Sequence, residues 1–177
     1  MPESAYAQKP DHAGHPVRDT EFCGEFYAPY EAAACAALAL LGDARRQMPC
    51  RVLTVSYRLK TASSIREKLR RKGLPETPAA AVAALHDVAG LRAVLTDRQA
   101  VYSFAAVLLG RCALRLEDVH DYIAAPKQSG YRSLHLIVRV PVCLGGQTYC
   151  VPAEIQLRTA SMDAWACAEH RLIYKPC

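Results

Sequence analysis

Glu154, Gln156 and Arg158 occupy alternate positions of the run TYCVPAEIQLRT, and Tyr131, Ser133 and His135 do the same in the preceding run YRSLHLIVRV. Side chains along a strand point alternately to opposite faces, so each run sorts a polar set from an apolar one. The apolar partners are Leu134, Leu136, Val138 and Val140 in the first run and Val151, Ala153, Ile155 and Leu157 in the second. Gly145-Gly146 between them reads as a hairpin turn. A carboxylate, an amide, a guanidinium, an imidazole and an exposed phenol ring therefore share one face of a sheet whose other face is core. Such a set can orient a polar ligand and handle a proton.

The rest of the chain reads as the frame that positions this face. Residues 21–48 form an Ala-rich scaffold helix with Phe22, Phe26, Tyr30, Leu38 and Leu41 as packing residues. Arg51 to Lys60 reads as a strand, with Val52, Thr54, Ser56, Arg58 and Lys60 on one side and Leu53, Val55, Tyr57 and Leu59 on the other. Ser64 then starts a helix with Glu67 at capping-box spacing, and Gly73 ends it. Cations beside a helix N-terminus suit phosphate, and Arg58, Lys60 and Lys68 are assigned that role. Arg66, Arg70, Arg71 and Lys72 are read as a solvated face.

Pro75 and Pro78 punctuate a linker, and a short helix runs to Leu85. In HDVAGLRAVL, Asp87 lies in a turn at the mouth of the strand Leu91 to Leu95, where an acid is placed to hold a metal ion. A helix from Arg98 to about Leu109, a strand from about Leu114 to Ile123 and the loop APKQSG lead to the hairpin. After Thr159 as an N-cap, Met162, Trp165, Ala166, Glu169, Ile173 and Tyr174 mark a closing helix.

With 177 residues, 51% hydrophobic and 22% charged, the chain suits a single domain over 21–177 after a polar, proline-bearing tail over 1–20. His12 and His15 fall in that tail and are given no chemistry. A net charge of +5 suits a small anionic ligand, phosphate first, and is too mild for an extended nucleic-acid surface. The eight cysteines form no CxxC pair and are expected to be buried thiols of a reducing cytosol. With no leader-like N-terminus and no apolar segment of spanning length, the expectation is a soluble cytoplasmic protein without a membrane partner.

In order, the motifs YRLKTASSIREKL, HDVAGLRAV, DYIAAPKQSGYRSLH, EIQLRT and MDAWACAEHRLIYK resemble the synthetase domain of the RelA/SpoT family, above all its single-domain small alarmone synthetases, over residues 52–175. The resemblance implies an α+β fold: a mixed, mostly antiparallel five-stranded sheet flanked by helices, similar to nucleotidyltransferases. It implies transfer of pyrophosphate from ATP to the ribose 3′-hydroxyl of GDP or GTP, with Mg²⁺ as cofactor. Asp87 matches the magnesium ligand, and Glu154 matches a glutamate that binds magnesium or activates the hydroxyl. Arg58, Lys60, Lys68 and Arg92 fall on the ATP side. Tyr131 matches the ring that stacks on the acceptor base, Lys127 and His135 meet acceptor phosphates, and Gln156 and Arg158 share that face. Ser129 stands where the family often has asparagine, which touches loop detail.

Other readings are carried forward. Asp87 and Glu154 can instead pair structurally with a cation such as Arg92 or Arg158, and His135 can be a buried, hydrogen-bonded histidine. His86-Asp87 and His120-Asp121 have the form of the family's hydrolase pair but lack further metal-binding His and Asp upstream, so synthesis without hydrolysis is expected. A toxic relative acting on adenine nucleotides or the tRNA 3′ end, and a nucleotide-binding module without catalysis, are the two alternatives. Oligomeric state is open.

Overall fold

Five strands form one sheet in the order β1-β2-β5-β4-β3. They are β1 Val52–Leu59, β2 Ala89–Leu95, β3 Arg115–Asp121, β4 Leu134–Leu144 and β5 Gln147–Thr159. Every neighbouring pair is antiparallel except β2 with β5, so the expected mixed, mostly antiparallel sheet is observed. The computed structural model describes residue 22, residues 24–110 and residues 113–174, with side chains to residue 169. The tail with His12 and His15, three of the cysteines, and the side chains of Ile173 and Tyr174 lie outside the described residues.

Helices α1 Gly24–Gln47 and α4 Arg98–Leu109 cover one face of the sheet. Tyr30, Ala33, Ala34, Ala37, Leu41 and Ala44 recur at helical spacing along α1 and are buried. The small alanines let the helix lie close to Leu91, Leu136, Val138, Ile155 and Leu157, all of them buried. Asp97 caps α4 by accepting from the Ala100 N–H at 2.8 Å. The other face carries α5 Ala160–Tyr174, packed on β5 and β2, and is otherwise open enough to hold cavities.

Several local expectations are corrected. Helix α2 Ala62–Arg71 is capped by Thr61, whose hydroxyl accepts from the Ser64 N–H at 3.3 Å, and not by Ser64 with Glu67. Gly73 does follow the helix end, at φ +66°, a left-handed conformation natural to glycine. A β-bulge between Val52 and Thr54 breaks the alternation in β1, so Val52 is buried and Leu53 is exposed, the reverse of the expected faces. β4 begins at Leu134, leaving Tyr131 to Ser133 as an irregular lead-in. Trp165 is half-exposed against Gly130 and does not pack in the core. Among the described cysteines, Cys35, Cys143 and Cys150 are exposed thiols on the outer faces of their elements, and Cys50 is exposed in the turn between α1 and β1.

Short helix α3 Pro78–Ala84, capped by Thr77 with Pro at its first position, brings the chain back to β2. Gly145 and Gly146, both at positive φ, close the tight β4–β5 turn and fix the hairpin register.

Candidate functional site

Register across the open face explains which side chains meet. Ser56, Arg92, Gln156, His135 and His120 are successive partners across all five strands. Arg58, Gly90, Glu154, Ile137 and Asp118 form the adjoining row. Alternation keeps the polar members of both rows on the same face, so residues far apart in sequence become neighbours.

On the β4–β5 side the side chains close a ring of hydrogen bonds. His135 Nδ1 lies 2.8 Å from Glu154 Oε1, and Gln156 Nε2 donates to Glu154 Oε2 at 2.7 Å. Arg158 Nη2 donates to Gln156 Oε1 at 2.8 Å and to the Tyr131 oxygen at 2.6 Å. The Tyr131 hydroxyl meets His135 Nε2 at 2.8 Å and completes the ring. A carboxylate only accepts, so His135 Nδ1 carries a proton; in the neutral imidazole Nε2 then accepts and the Tyr131 hydroxyl donates to it. Every donor direction then leads from Arg158 to Glu154, by Gln156 on one path and by Tyr131 and His135 on the other. Burial works to raise the Glu154 pKa, but the bonds from His135 and Gln156 outweigh it and hold the carboxyl below its usual range.

Asp87 works differently. Its Oδ2 takes Lys68 Nζ at 2.6 Å and Lys60 Nζ at 3.0 Å, while Oδ1 is buried without a partner. Burial again opposes ionisation, and the two ammonium groups prevail, so the Asp87 pKa is also lowered. The expected structural alternative is thus half right: Asp87 is ion-paired, but with Lys60 and Lys68. Arg92 and Arg158 turn instead to Asp163, at 3.2 Å and 3.0 Å.

Three cavities adjoin on this face: one, of about 230 Å³ toward β3, is lined by Lys68, His86, Asp87, Glu117, His120 and Glu154 among others, and the remaining two meet between β1 and the β4–β5 hairpin. Of these two, one, of about 200 Å³, is lined by Ser56, Arg58, Gly90, Arg92 and neighbours. The other, of about 550 Å³, is lined by Tyr122, Lys127, Ser129, Tyr131, His135, Glu169 and others. Arg58, Asp87, Glu154 and Gln156 line both, so the two carboxylates stand at the junction. Among the described residues no group of three or more His, Cys, Asp or Glu forms a ready-made metal cage. Magnesium does not require one: it is commonly held by one or two carboxylates together with substrate phosphates. The unpartnered Asp87 Oδ1 and the Glu154 carboxylate fit that ion.

Of the anticipated residues, Arg58, Asp87, Arg92, Glu154, Gln156, Lys127, Tyr131, His135 and Lys68 all line one or both cavities. Lys60 reaches the junction through Asp87. Arg158 does not line either cavity; it is 4% exposed and all its contacts are to Ser133, Asp163, Gln156 and Tyr131. Tyr131 is not an exposed ring but half-buried, edge-on to Tyr122, His135 and Trp165. His135 is 7% exposed with both ring nitrogens engaged, so burial and a place in the groove hold together. Sequence reasoning assigned no role to Tyr122, over whose ring Lys127 Nζ sits at 4.5 Å, or to Asp163. Tyr122 stood in a quoted motif, yet its meeting with Lys127 across a loop has no periodicity to reveal it.

Comparison with known proteins agrees with this geometry. Residues 57–176 match the family described as "Region found in RelA / SpoT proteins". The chain is 44% identical over 118 residues to the GTP pyrophosphokinase YwaC of Bacillus subtilis, an alignment covering 67% of this chain and 56% of that protein. The chain therefore spans little more than half the length of such relatives. Small alarmone synthetase 1 of Bacillus subtilis, solved bound to its product pppGpp, superposes with a TM-score of 0.78 at 34% identity, covering 85% of this chain and 78% of that one. The same enzyme bound to AMPCPP gives a TM-score of 0.71 at 30% identity, with 85% and 77% covered.

Proposed function

Because the chain belongs to the RelA/SpoT family, we propose that it transfers the pyrophosphoryl group of ATP to the ribose 3′-hydroxyl of GDP or GTP, releasing AMP. The observation that supports this reading best is the pair of adjoining cavities sharing Asp87 and Glu154: a two-substrate transfer needs two nucleotide sites and a charged junction between them. The names and bound nucleotides of the relatives are consistent with it.

In this reaction the acceptor 3′-oxygen forms a bond to the β-phosphorus of ATP as the bond from that phosphorus to the α,β-bridging oxygen breaks. The bridging oxygen leaves with AMP, and the hydroxyl proton goes to an acceptor at the junction. Arg58, Arg92, Lys60 and Lys68 hold the donor, their charge following the phosphates as negative charge shifts. Tyr131 supplies a ring against the acceptor base, Lys127 and His135 face its phosphates, and Gln156 fixes the Glu154 carboxylate. Glu154, kept ionised, takes or relays the 3′-hydroxyl proton. Mg²⁺, held by Asp87 and Glu154, would supply charge neutralisation on the phosphate oxygens. Arg158 braces the acceptor side without touching it. Synthesis without hydrolysis and a cytoplasmic setting complete the proposal; among the described residues no helix is long and apolar enough to cross a membrane.

The test is direct. Purified protein is given Mg²⁺, γ-labelled ATP and, separately, GDP, GTP, ADP, unlabelled ATP and bulk tRNA. Label should move to the guanine nucleotides. Label on an adenine nucleotide or tRNA alone would reassign the acceptor, and no transfer at all would leave a binding module.

A further inference from the structure

Asp163 lies in the first turn of α5, where an acid ordinarily needs no more explanation than the helix dipole. Its surroundings ask for more. The N-terminal cap is already supplied by Thr159, whose hydroxyl accepts from the Met162 N–H at 3.3 Å. Asp163 Oδ1 instead receives Arg158 Nη1 at 3.0 Å and Arg92 Nη1 at 3.2 Å. One oxygen thereby joins a side chain lining the smaller cavity to the side chain that holds Tyr131 and Gln156 in place beside the larger one.

We propose that Asp163 is a positioning residue that sets the donor and acceptor subsites together, by fixing Arg92 and Arg158 through a single carboxylate oxygen. The proposal rests on the two-nucleotide reading given above. A guanidinium as buried as that of Arg158, with 5% of its side chain exposed, needs a counter-charge. Arg158 and Glu154 already share Gln156 as a bonding partner. In Asp163→Asn the partners left to Arg158 among the described residues, Ser133, Gln156 and Tyr131, are all uncharged, and its hold on Tyr131 and Gln156 loses the anchor that fixed it. Arg92 loses its hold in the same step, and its Nε has no other described partner.

The test measures binding separately from turnover. Calorimetry on the full chain gives Kd for a non-transferable ATP analogue with a methylene α,β-bridge and for GDP, in wild type, Asp163→Asn, Arg92→Gln and Tyr131→Phe. Asp163→Asn should loosen both ligands by roughly 10-fold or more, the effect typical of removing a partner that orients a site. Arg92→Gln should loosen the analogue alone, and Tyr131→Phe should loosen GDP alone. Loosening of one ligand only, or a lowered melting temperature with both Kd values unchanged, overturns the proposal. If Asp163→Asn does not fold, Asp163→Glu replaces it, keeping the charge but moving it by a methylene; it should loosen both ligands, and wild-type Kd values for both overturn the proposal. Wild-type protein that binds both ligands yet transfers nothing counts against the proposed reaction and leaves the positioning role standing. Binding of neither ligand overturns both.

Discussion

The two sides of the junction are held in different ways. Around Glu154, five side chains close a hydrogen-bonded ring in which each donor has an assigned acceptor. Around Asp87 there are only two ammonium groups on one oxygen, with the other oxygen unpartnered. The ring resists rearrangement because moving any member breaks two hydrogen bonds at once, in a partly buried setting. The Asp87 cluster is held more simply: lysines are point charges without the fixed fork of a guanidinium, and a bound phosphate would compete with Asp87 for them. On the proposed reading, the acceptor side is thus preorganised, and the donor side is completed by what binds there.

The largest effect should come from breaking the exchangeable side at its centre. Asp87→Asn should reduce transfer to background while the chain stays folded, since the change leaves the core untouched. Near-normal turnover by a folded variant, confirmed by circular dichroism, would remove Asp87 from the chemistry.

Glu154→Gln comes next. It keeps shape and loses charge, so both nucleotides should still bind while single-turnover transfer falls by roughly 100-fold or more, the lower range for a proton acceptor. Lost binding with normal single-turnover chemistry would contradict the role and would mean that the ring serves affinity alone.

A smaller effect separates the sides. Tyr131→Ala should raise the acceptor KM by an amount worth about 1–3 kcal/mol, the usual loss of a stacked base. Arg58→Ala, although its side chain lines both cavities, should raise chiefly the ATP KM. Equal damage to both substrates from either variant would mean that the two sides are not separable as described.

The smallest effect is a pH dependence of stability. Asp87 and Glu154 both have folded pKa values below their ordinary 3.8 and 4.5. Protons therefore bind the unfolded chain more readily, and the stabilisation is present above that range and lost as pH falls below it. Melting temperature should hold steady from neutral pH down to about 5 as far as these two groups govern it, then fall. In Glu154→Gln the acid fall should be shallower. An unchanged fall in that variant would show that the ring contributes nothing to acid sensitivity.

Much of this was legible in the sequence because the strand periodicity was clean. The alternation in β4 and β5 put Glu154, Gln156 and His135 together, while on α1 the large side chains marked only Tyr30 and Leu41 of a buried face that four alanines complete. Legibility failed where one residue interrupted a pattern or where partners met across elements. The bulge near Val52 inverted two faces of β1, and the cap of α2 lay at Thr61, a step earlier than the Ser64-Glu67 pair suggested. Asp163 was hidden for a plainer reason: a first-turn acid already has an ordinary explanation, and only the third dimension brings Arg92 and Arg158 to it.

The parallel pairing of β2 with β5 has a consequence for how the molecule is made. It joins Gly90 to Glu154 and Arg92 to Gln156 across a long stretch of chain that includes α4, β3 and β4. Local pairs such as the β4–β5 hairpin close small loops and can form early, whereas this pair must wait for a large loop to close. The ring around Glu154 can therefore assemble within its own half of the chain, while the junction with Asp87 exists only after the two halves dock. During synthesis a chain whose β5 has not emerged carries its cationic strand and helix without the carboxylate that completes the reaction centre. The proposed nucleotide chemistry would in this way be tied to a late, long-range step of folding.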